Sequence, residues 1–205
     1  VTGVQTCALP ISEFNHKLSD QLRKRGLARK EDIAVGRRVG WYALIRILKP
    51  KVVVETGVHH GVGACVIAEA LRRNRDEGYN GKYIGTEINP SHGSLFAENY
   101  PEFGEIFYGD SIQTLKSFQS EIDLFINDSD HDGKYEYLEY QAILTNLGQD
   151  SIILGDNCHV TDSLYDFSIQ NSRSFVVFHE EPKNHWYPGG VIGISANRFP
   201  IKSFQ

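Results

Sequence analysis

From Lys51 onward, short apolar runs alternate with segments of helical periodicity, and no other pattern in the chain restricts its fold so tightly. Val52-Val53-Val54, Tyr83-Ile84-Gly85, Ile106-Phe107-Tyr108, Leu124-Phe125-Ile126 and Ile152-Ile153-Leu154 are β-branched or aromatic-rich and read as five strands. Residues 63–73, 91–100, 111–118 and 135–147 carry apolar side chains at three-and-four spacing and read as helices. Strands that need no polar alternation are buried on both faces, which calls for a parallel sheet with helices on each side and right-handed crossovers. A further helix over 162–170 precedes two more strands, Phe175-Val176-Val177-Phe178 and Val191-Ile192-Gly193-Ile194. The polar and aromatic link between them, 180–190, is punctuated by Pro and Gly, which favours an antiparallel, hairpin-like return over another crossover helix.

Ahead of this α/β region, residues 12–48 read as two helices joined by a loop over 32–40. Trp41, Leu44, Ile45 and Leu48 form an apolar stripe that serves packing. The first eleven residues resemble the translation of a sequencing-adapter oligonucleotide and are set aside. On that reading the natural amino terminus is missing, in agreement with the absence of any Met; a truncated signal segment fits less well, because no basic region precedes it. The expected division is therefore a non-native 1–11, a helical cap over 12–50 and one α/β domain over 51–205.

A chain of 205 residues suffices for one well-buried domain and is short for two. No apolar run approaches the ~20 residues that span a bilayer, so no membrane association is expected. A net charge of −5 leaves no footprint for nucleic acid, and Arg23-Lys24-Arg25 with Arg29-Lys30 is diluted by Glu31 and Asp32 into a solvated helix face. With Cys7 set aside, Cys65 and Cys158 are too few for a disulfide framework and read as small buried fillers, so a cytoplasmic location is expected.

Chemistry concentrates where the apolar runs end. Asn127-Asp128-Ser129-Asp130-His131 and Gly155-Asp156-Asn157-Cys158-His159 each follow a strand, and hard oxygen ligands at neighbouring strand ends make a divalent-cation site. A histidine beside such a site can take a proton from a hydroxyl held there. The first strand ends in Val54-Glu55-Thr56-Gly57-Val58-His59-His60-Gly61-Val62-Gly63, a glycine-bearing turn that opens a helix and lets a ligand approach the backbone. Glu55 sharpens that turn, because a carboxylate there repels a pyrophosphate and suits a cationic ligand. Glu87, in Thr86-Glu87-Ile88-Asn89-Pro90, stands where an acidic residue commonly holds ribose hydroxyls. Asp110 and Ser111 have short polar side chains suited to an adenine edge, so three strand ends together describe a nucleoside pocket.

From about Val52 to Ala196 these motifs resemble the class I S-adenosylmethionine-dependent methyltransferases, in particular the metal-dependent small-molecule O-methyltransferases that include catechol and caffeoyl-CoA enzymes. The tail from Glu180 to Gly189 leans toward the bacterial branch of methyltransferase family 24 with macrolide-sugar methyltransferases and cephalosporin-hydroxylase-like proteins. The resemblance implies a Rossmann-like doubly wound sheet of seven strands, mostly parallel with an antiparallel last strand and helices on both faces. It implies that Glu55, Gly57 and Gly61 line the methionine and ribose side of S-adenosyl-L-methionine, Glu87 takes the ribose hydroxyls, and Asp110 and Ser111 approach the adenine. Asp128, Asp156 and Asn157 would bind Mg²⁺ or another divalent cation. A lysine occupies the position of His131 in the catechol group, whereas the macrolide-type branch has a histidine three residues after the metal aspartate, as here; His131 is thus the expected general base, acting beside Asp128.

Alternatives stay open at several of these positions. Asp156-Asn157 could cap the helix that follows, and Asp130 could orient ligands without being one. His159 and His185 either line the acceptor pocket or serve packing, Trp186 and Tyr187 stack on an acceptor ring or cap the core, and the His59-His60 pair receives no chemistry. The expected activity is O-methylation of a small-molecule hydroxyl, with a homo-oligomer compatible. A metal-dependent hydrolase would use the Asp/His centre without the nucleoside pocket, a hydroxylase-like reading would call for iron, and a cofactor-binding protein without turnover is the non-enzymatic rival.

Overall fold

The computed structural model describes residues 5–27, 35–181 and 189–197. Two helices lead in, α1 (Gln5–Lys24) and α2 (Val39–Leu48). Then β1 (Val52–Thr56), α3 (Val62–Asp76), β2 (Lys82–Glu87), α4 (Ser94–Asn99), β3 (Gly104–Tyr108), α5 (Ser111–Ser117) and β4 (Ile122–Asn127) alternate regularly. They are followed by α6 (Gly133–Ile143), β5 (Leu147–Gly155), α7 (Ser163–Gln170), β6 (Ser174–His179) and β7 (Val191–Ala196).

The strands form one sheet in the order β3-β2-β1-β4-β5-β7-β6. Neighbours from β3 through β5 are parallel, whereas β7 runs antiparallel to both β5 and β6. The seven-stranded, doubly wound sheet and the antiparallel return are those expected from the sequence. Chain order reverses between β1 and β4, where Thr56 pairs with Asn127, and in such sheets the crevice beyond this switch point receives ligands.

Alternation along the strands divides the core into two layers. Val53 joins the layer built with Leu18 of α1, Trp41 and Ile45 of α2 and Ile67 of α3, while Val52 and Val54 join Leu115 of α5, Tyr140 of α6 and Phe167 of α7. In β4 this parity breaks, because Ile122 and Phe125 share one layer and Leu124 and Ile126 the other, where the pairing with β5 is irregular between Ile122 and Leu124. Trp41 and Ile45 are buried and Leu44 and Leu48 pack beside them, so the amino-terminal stripe does serve packing.

The larger departures from the predicted boundaries fall at three places. The first helix covers residues 5–11, which the sequence reading sets aside. The helix predicted over 91–100 begins only at Ser94, after Gly93 turns the chain with φ +78°. The helix predicted to reach 147 ends at Ile143, and β5 already begins at Leu147, paired with Ile122. Asn146 causes the early stop, since its amide donates to the carbonyls of Phe118 (2.9 Å) and Ser120 (3.2 Å) and ties the helix end to the approach of β4. Two other starts follow sequence logic: the side chains of Asp110 and Asp132 accept from the amides of Gln113 (2.9 Å) and Tyr135 (3.0 Å) and cap α5 and α6. His185, Trp186 and Tyr187 lie outside the described residues. No helix among the described residues is long and apolar enough to cross a membrane.

Candidate functional site

A cavity of about 640 Å³ opens at the carboxyl ends of the strands, and Gly57, Glu87, Asp110, Ser111 and Asp128 all line it. Gly57 makes this junction possible. Its φ is +83°, and a Cβ there would stand 2.0 Å from the Asp128 carbonyl oxygen, so only glycine fits. The same two loops exchange a hydrogen bond from the Asp128 amide to the Thr56 carbonyl at 3.0 Å. Gly61, with φ +92°, precedes α3 and would bring a Cβ within 3.2 Å of the Phe96 amide nitrogen.

On the β1–β2 side, Glu87 is fastened by backbone donors: Oε2 accepts from the His59 amide at 2.6 Å and Oε1 from the Asn89 amide at 2.8 Å. Ser111 Oγ donates to Glu139 and can accept from the Tyr135 hydroxyl at 2.9 Å, a hydroxyl that also lies 3.3 Å from Asp110 Oδ2. Glu55 is different. It is 1% exposed, takes a 2.5 Å bond from the Tyr83 hydroxyl, and sits against Gly63, where a Cβ would meet its Oε1 at 2.0 Å. Burial pushes its carboxyl up to about 7, although the Tyr83 bond and the charge of Arg38 act in the opposite direction. Among the described residues, those lining the cavity do not include Glu55.

Across the cavity stands the acidic corner. Asp128, His131 and Asp156 offer ligand atoms that all lie within 4.8 Å of one another. Asp128 Oδ2 accepts from Arg38 Nη2 at 3.1 Å, and Asp156 is 2% exposed. His131 is held at both nitrogens: Nε2 lies 2.9 Å from the Asn157 amide nitrogen and Nδ1 lies 3.4 Å from Glu136 Oε1. A bond from the Asn157 N–H leaves the proton of a neutral imidazole on Nδ1, directed at Glu136. Asn157 adopts φ +55° and thus turns its side chain inward, with nitrogen toward His131 and 3.4 Å from Asp156 Oδ2. Asp130 lines the cavity while accepting from the Asp132 amide at 3.2 Å, and His159 is exposed. Cys65 is fully buried, and burial pushes the Cys158 thiol up to about 12, so neither is a ready metal ligand.

Several residues of the site carry no flag in the sequence reading. Arg38 reaches Asp128 from the amino-terminal region and places its guanidinium 5.2 Å over the Trp41 ring. Glu139, buried, collects hydrogen bonds from Thr56 (3.2 Å), Ser129 (2.7 Å), Ser111 and Asn127, and so ties together the ends of β1 and β4 and the start of α5. Glu136 accepts from Thr161 as well as facing His131. A readable signal existed for these two carboxylates, because Glu136, Glu139, Tyr140 and Ile143 occupy one buried stripe of α6 at three-and-four spacing. His59, His60 and His92 form a second group of potential ligands, again within 4.8 Å of one another. Burial and mutual repulsion lower the affinity of His59 and His60 for a proton.

Residues 54–158, just over half of the chain, match the family model described as a methyltransferase domain. No curated protein sequence matches the chain. Among solved structures, a Klebsiella pneumoniae protein named as a candidate O-methyltransferase superposes with a TM-score of 0.69 at 16% identity, covering 87% of this chain and 89% of that one. An O-methyltransferase of Bacillus cereus in complex with SAH gives 0.66 at 15% identity over 86% and 88%. TomG of Streptomyces achromogenes, an O-methyltransferase of tomaymycin synthesis in complex with SAM, gives 0.63 at 16% identity over 88% and 87%. At these identities the three share the fold.

Proposed function

The chain belongs to the methyltransferase-domain family and is an S-adenosylmethionine-dependent methyltransferase, and on that premise we propose that it methylates a hydroxyl oxygen of a small molecule with the help of a divalent cation. One observation carries the proposal: Glu87, Asp110 and Asp128 line a single cavity, so a nucleoside rim and an acidic corner share one space. The residues suit both groups. Gly57 offers bare backbone at the cavity wall and Glu87 an anchored carboxylate, while Asp128 and Asp156 supply hard oxygen donors within one ligand shell's reach of each other.

When bound, the cofactor supplies the methyl group, and the cation orients an acceptor hydroxyl and lowers its pKa. Asp128 and Asp156 would hold the cation, and Asn157 would join them by turning its side chain away from His131 Nε2, which frees that nitrogen to accept a proton. His131 takes the acceptor's proton at Nε2, and Glu136 on the Nδ1 side stabilises the imidazolium that results. Arg38, paired with Asp128, competes with a cation for that carboxylate. Closeness to both aspartates also allows His131 to join the cation's ligand shell, and the two roles separate by experiment.

Calorimetry with S-adenosylmethionine, with and without Mg²⁺, tests the proposal. Cofactor binding is expected in both conditions, and Mg²⁺ binding is expected to disappear in Asp128→Ala. Turnover on a panel of small hydroxyl acceptors that survives Asp128→Ala would remove the metal from the mechanism. His131→Ala should lower kcat with Mg²⁺ affinity kept if the imidazole is a base, and should weaken Mg²⁺ if it is a ligand.

A further inference from the structure

The imidazoles of His59, His60 and His92 converge at the rim of the cavity, away from the acidic corner. Ring centroids lie 3.8 Å apart for His59 and His60, 4.8 Å for His59 and His92, and 5.5 Å for His60 and His92. Consecutive side chains ordinarily diverge, and the backbone explains why these two do not: His59 adopts φ +49°, the left-handed region that few residues other than glycine enter. The Gly93 amide donates to the His59 carbonyl at 2.7 Å, fastening the His59 turn to the loop that carries His92. His92 Nδ1 stands 3.3 Å from Glu87 Oε1, the kind of carboxylate partner that orients a metal-bound imidazole, and Nε2, 3.3 Å from the Asn89 side-chain nitrogen, would exchange that amide for the cation.

We propose that His59, His60 and His92 form a site for a divalent transition ion of the zinc class, separate from the oxygen-rich corner. Three imidazole nitrogens favour Zn²⁺, Ni²⁺ or Cu²⁺ over Mg²⁺, which selects oxygen. In a tetrahedral shell with Zn–N of about 2.0–2.1 Å the nitrogens stand roughly 3.4 Å apart. The present group, within 4.8 Å, reaches that spacing by rotation of side chains, and His59 is exposed and has room to turn. Water would complete the shell on the cavity side, where His59 and His92 form part of the lining.

Titration of the full chain with Zn²⁺ in a calorimeter tests this, with Mg²⁺ as the contrasting probe. His60→Ala is expected to weaken Zn²⁺ at least as much as the roughly 10–100-fold that follows loss of an outer partner of a metal ligand, with Mg²⁺ affinity unchanged. Asp128→Asn is expected to do the reverse. His92→Gln, close in size, serves as the second variant, and circular dichroism checks that each folds. Cu²⁺ bound to the wild-type chain should show nitrogen splitting from imidazoles in its paramagnetic resonance spectrum, reduced in His60→Ala. Zn²⁺ uptake absent at millimolar concentration, or kept in both histidine variants, or lost only in Asp128→Asn, overturns the site. None of these readouts depends on methyl transfer, so the failure of this inference is distinct from failure of the proposed function.

Discussion

The two walls of the cavity hold acidic residues at equivalent places, the carboxyl ends of strands, and use them differently. On the β1–β2 side, Glu87 lines the cavity and is locked by two backbone amides, while Glu55, buried behind the wall, is locked by a phenol. Those donors belong to rigid elements, so the carboxylates keep one position. On the β4–β5 wall, Asp128 is held by the long side chain of Arg38, and its own side chain is 12% exposed toward the cavity. A guanidinium on a flexible stem yields to a competing cation far more readily than a main-chain amide yields. A strand-end carboxylate is therefore defined by its partner: fixed donors hold Glu87 in one place, and a mobile donor leaves Asp128 open to exchange for a cation.

The largest test of that contrast is Asp156→Ala. On the proposed mechanism Asp156 is an oxygen ligand, and its loss should reduce turnover about 1000-fold, on the order of 4 kcal/mol of transition-state stabilisation, with cofactor affinity measured by calorimetry almost unchanged. Equal losses in turnover and cofactor affinity would erase the difference between the walls. Next is Glu55→Gln, which addresses the buried side. Below the ordinary carboxylate value of 4.5 Glu55 is protonated both folded and unfolded; between 4.5 and about 7 only the unfolded chain ionises it, so the stability present at low pH is lost progressively and the loss is complete above about 7. Urea unfolding of the wild type should show roughly 3 kcal/mol more loss across that window than Glu55→Gln does. A matching slope in the two proteins would show that Glu55 is solvated like an ordinary carboxylate. Smallest is Arg38→Ala, expected to tighten Mg²⁺ about fivefold, about 1 kcal/mol, by removing a competing charge from Asp128. Weaker Mg²⁺ binding instead would make Arg38 an organiser of the acidic corner.

Much of the architecture is written in the strands themselves. Val52-Val53-Val54 and Leu124-Phe125-Ile126 are apolar on both faces and specify interior parallel strands before any partner is known. The direction of Glu55 was also legible: it shares the parity of Val53, and so follows Val53 toward Trp41 and α3, even though its place at a strand end suggests a ligand. Nothing comparable announces the early start of β5, because two carbonyl contacts from the Asn146 amide decide it, and those partners lie 26 and 28 residues away in sequence. The Arg38–Asp128 pair joins residues 90 positions apart. His92 meets the vicinal histidines only because His59 takes a left-handed turn, and no periodicity signals a single backbone angle.

The close approach of Gly57 to the Asp128 carbonyl has a thermodynamic consequence. With no space between them, the turn proposed to face the nucleoside and the loop proposed to face the cation are in backbone contact, so a shift of one presses on the other. A ligand that shifts one loop changes the free energy of filling the other, and reciprocity requires the effect to be equal in both directions. The factor by which Mg²⁺ alters nucleoside affinity must then equal the factor by which the nucleoside alters Mg²⁺ affinity, and a single missing methyl group sets how stiff that exchange is.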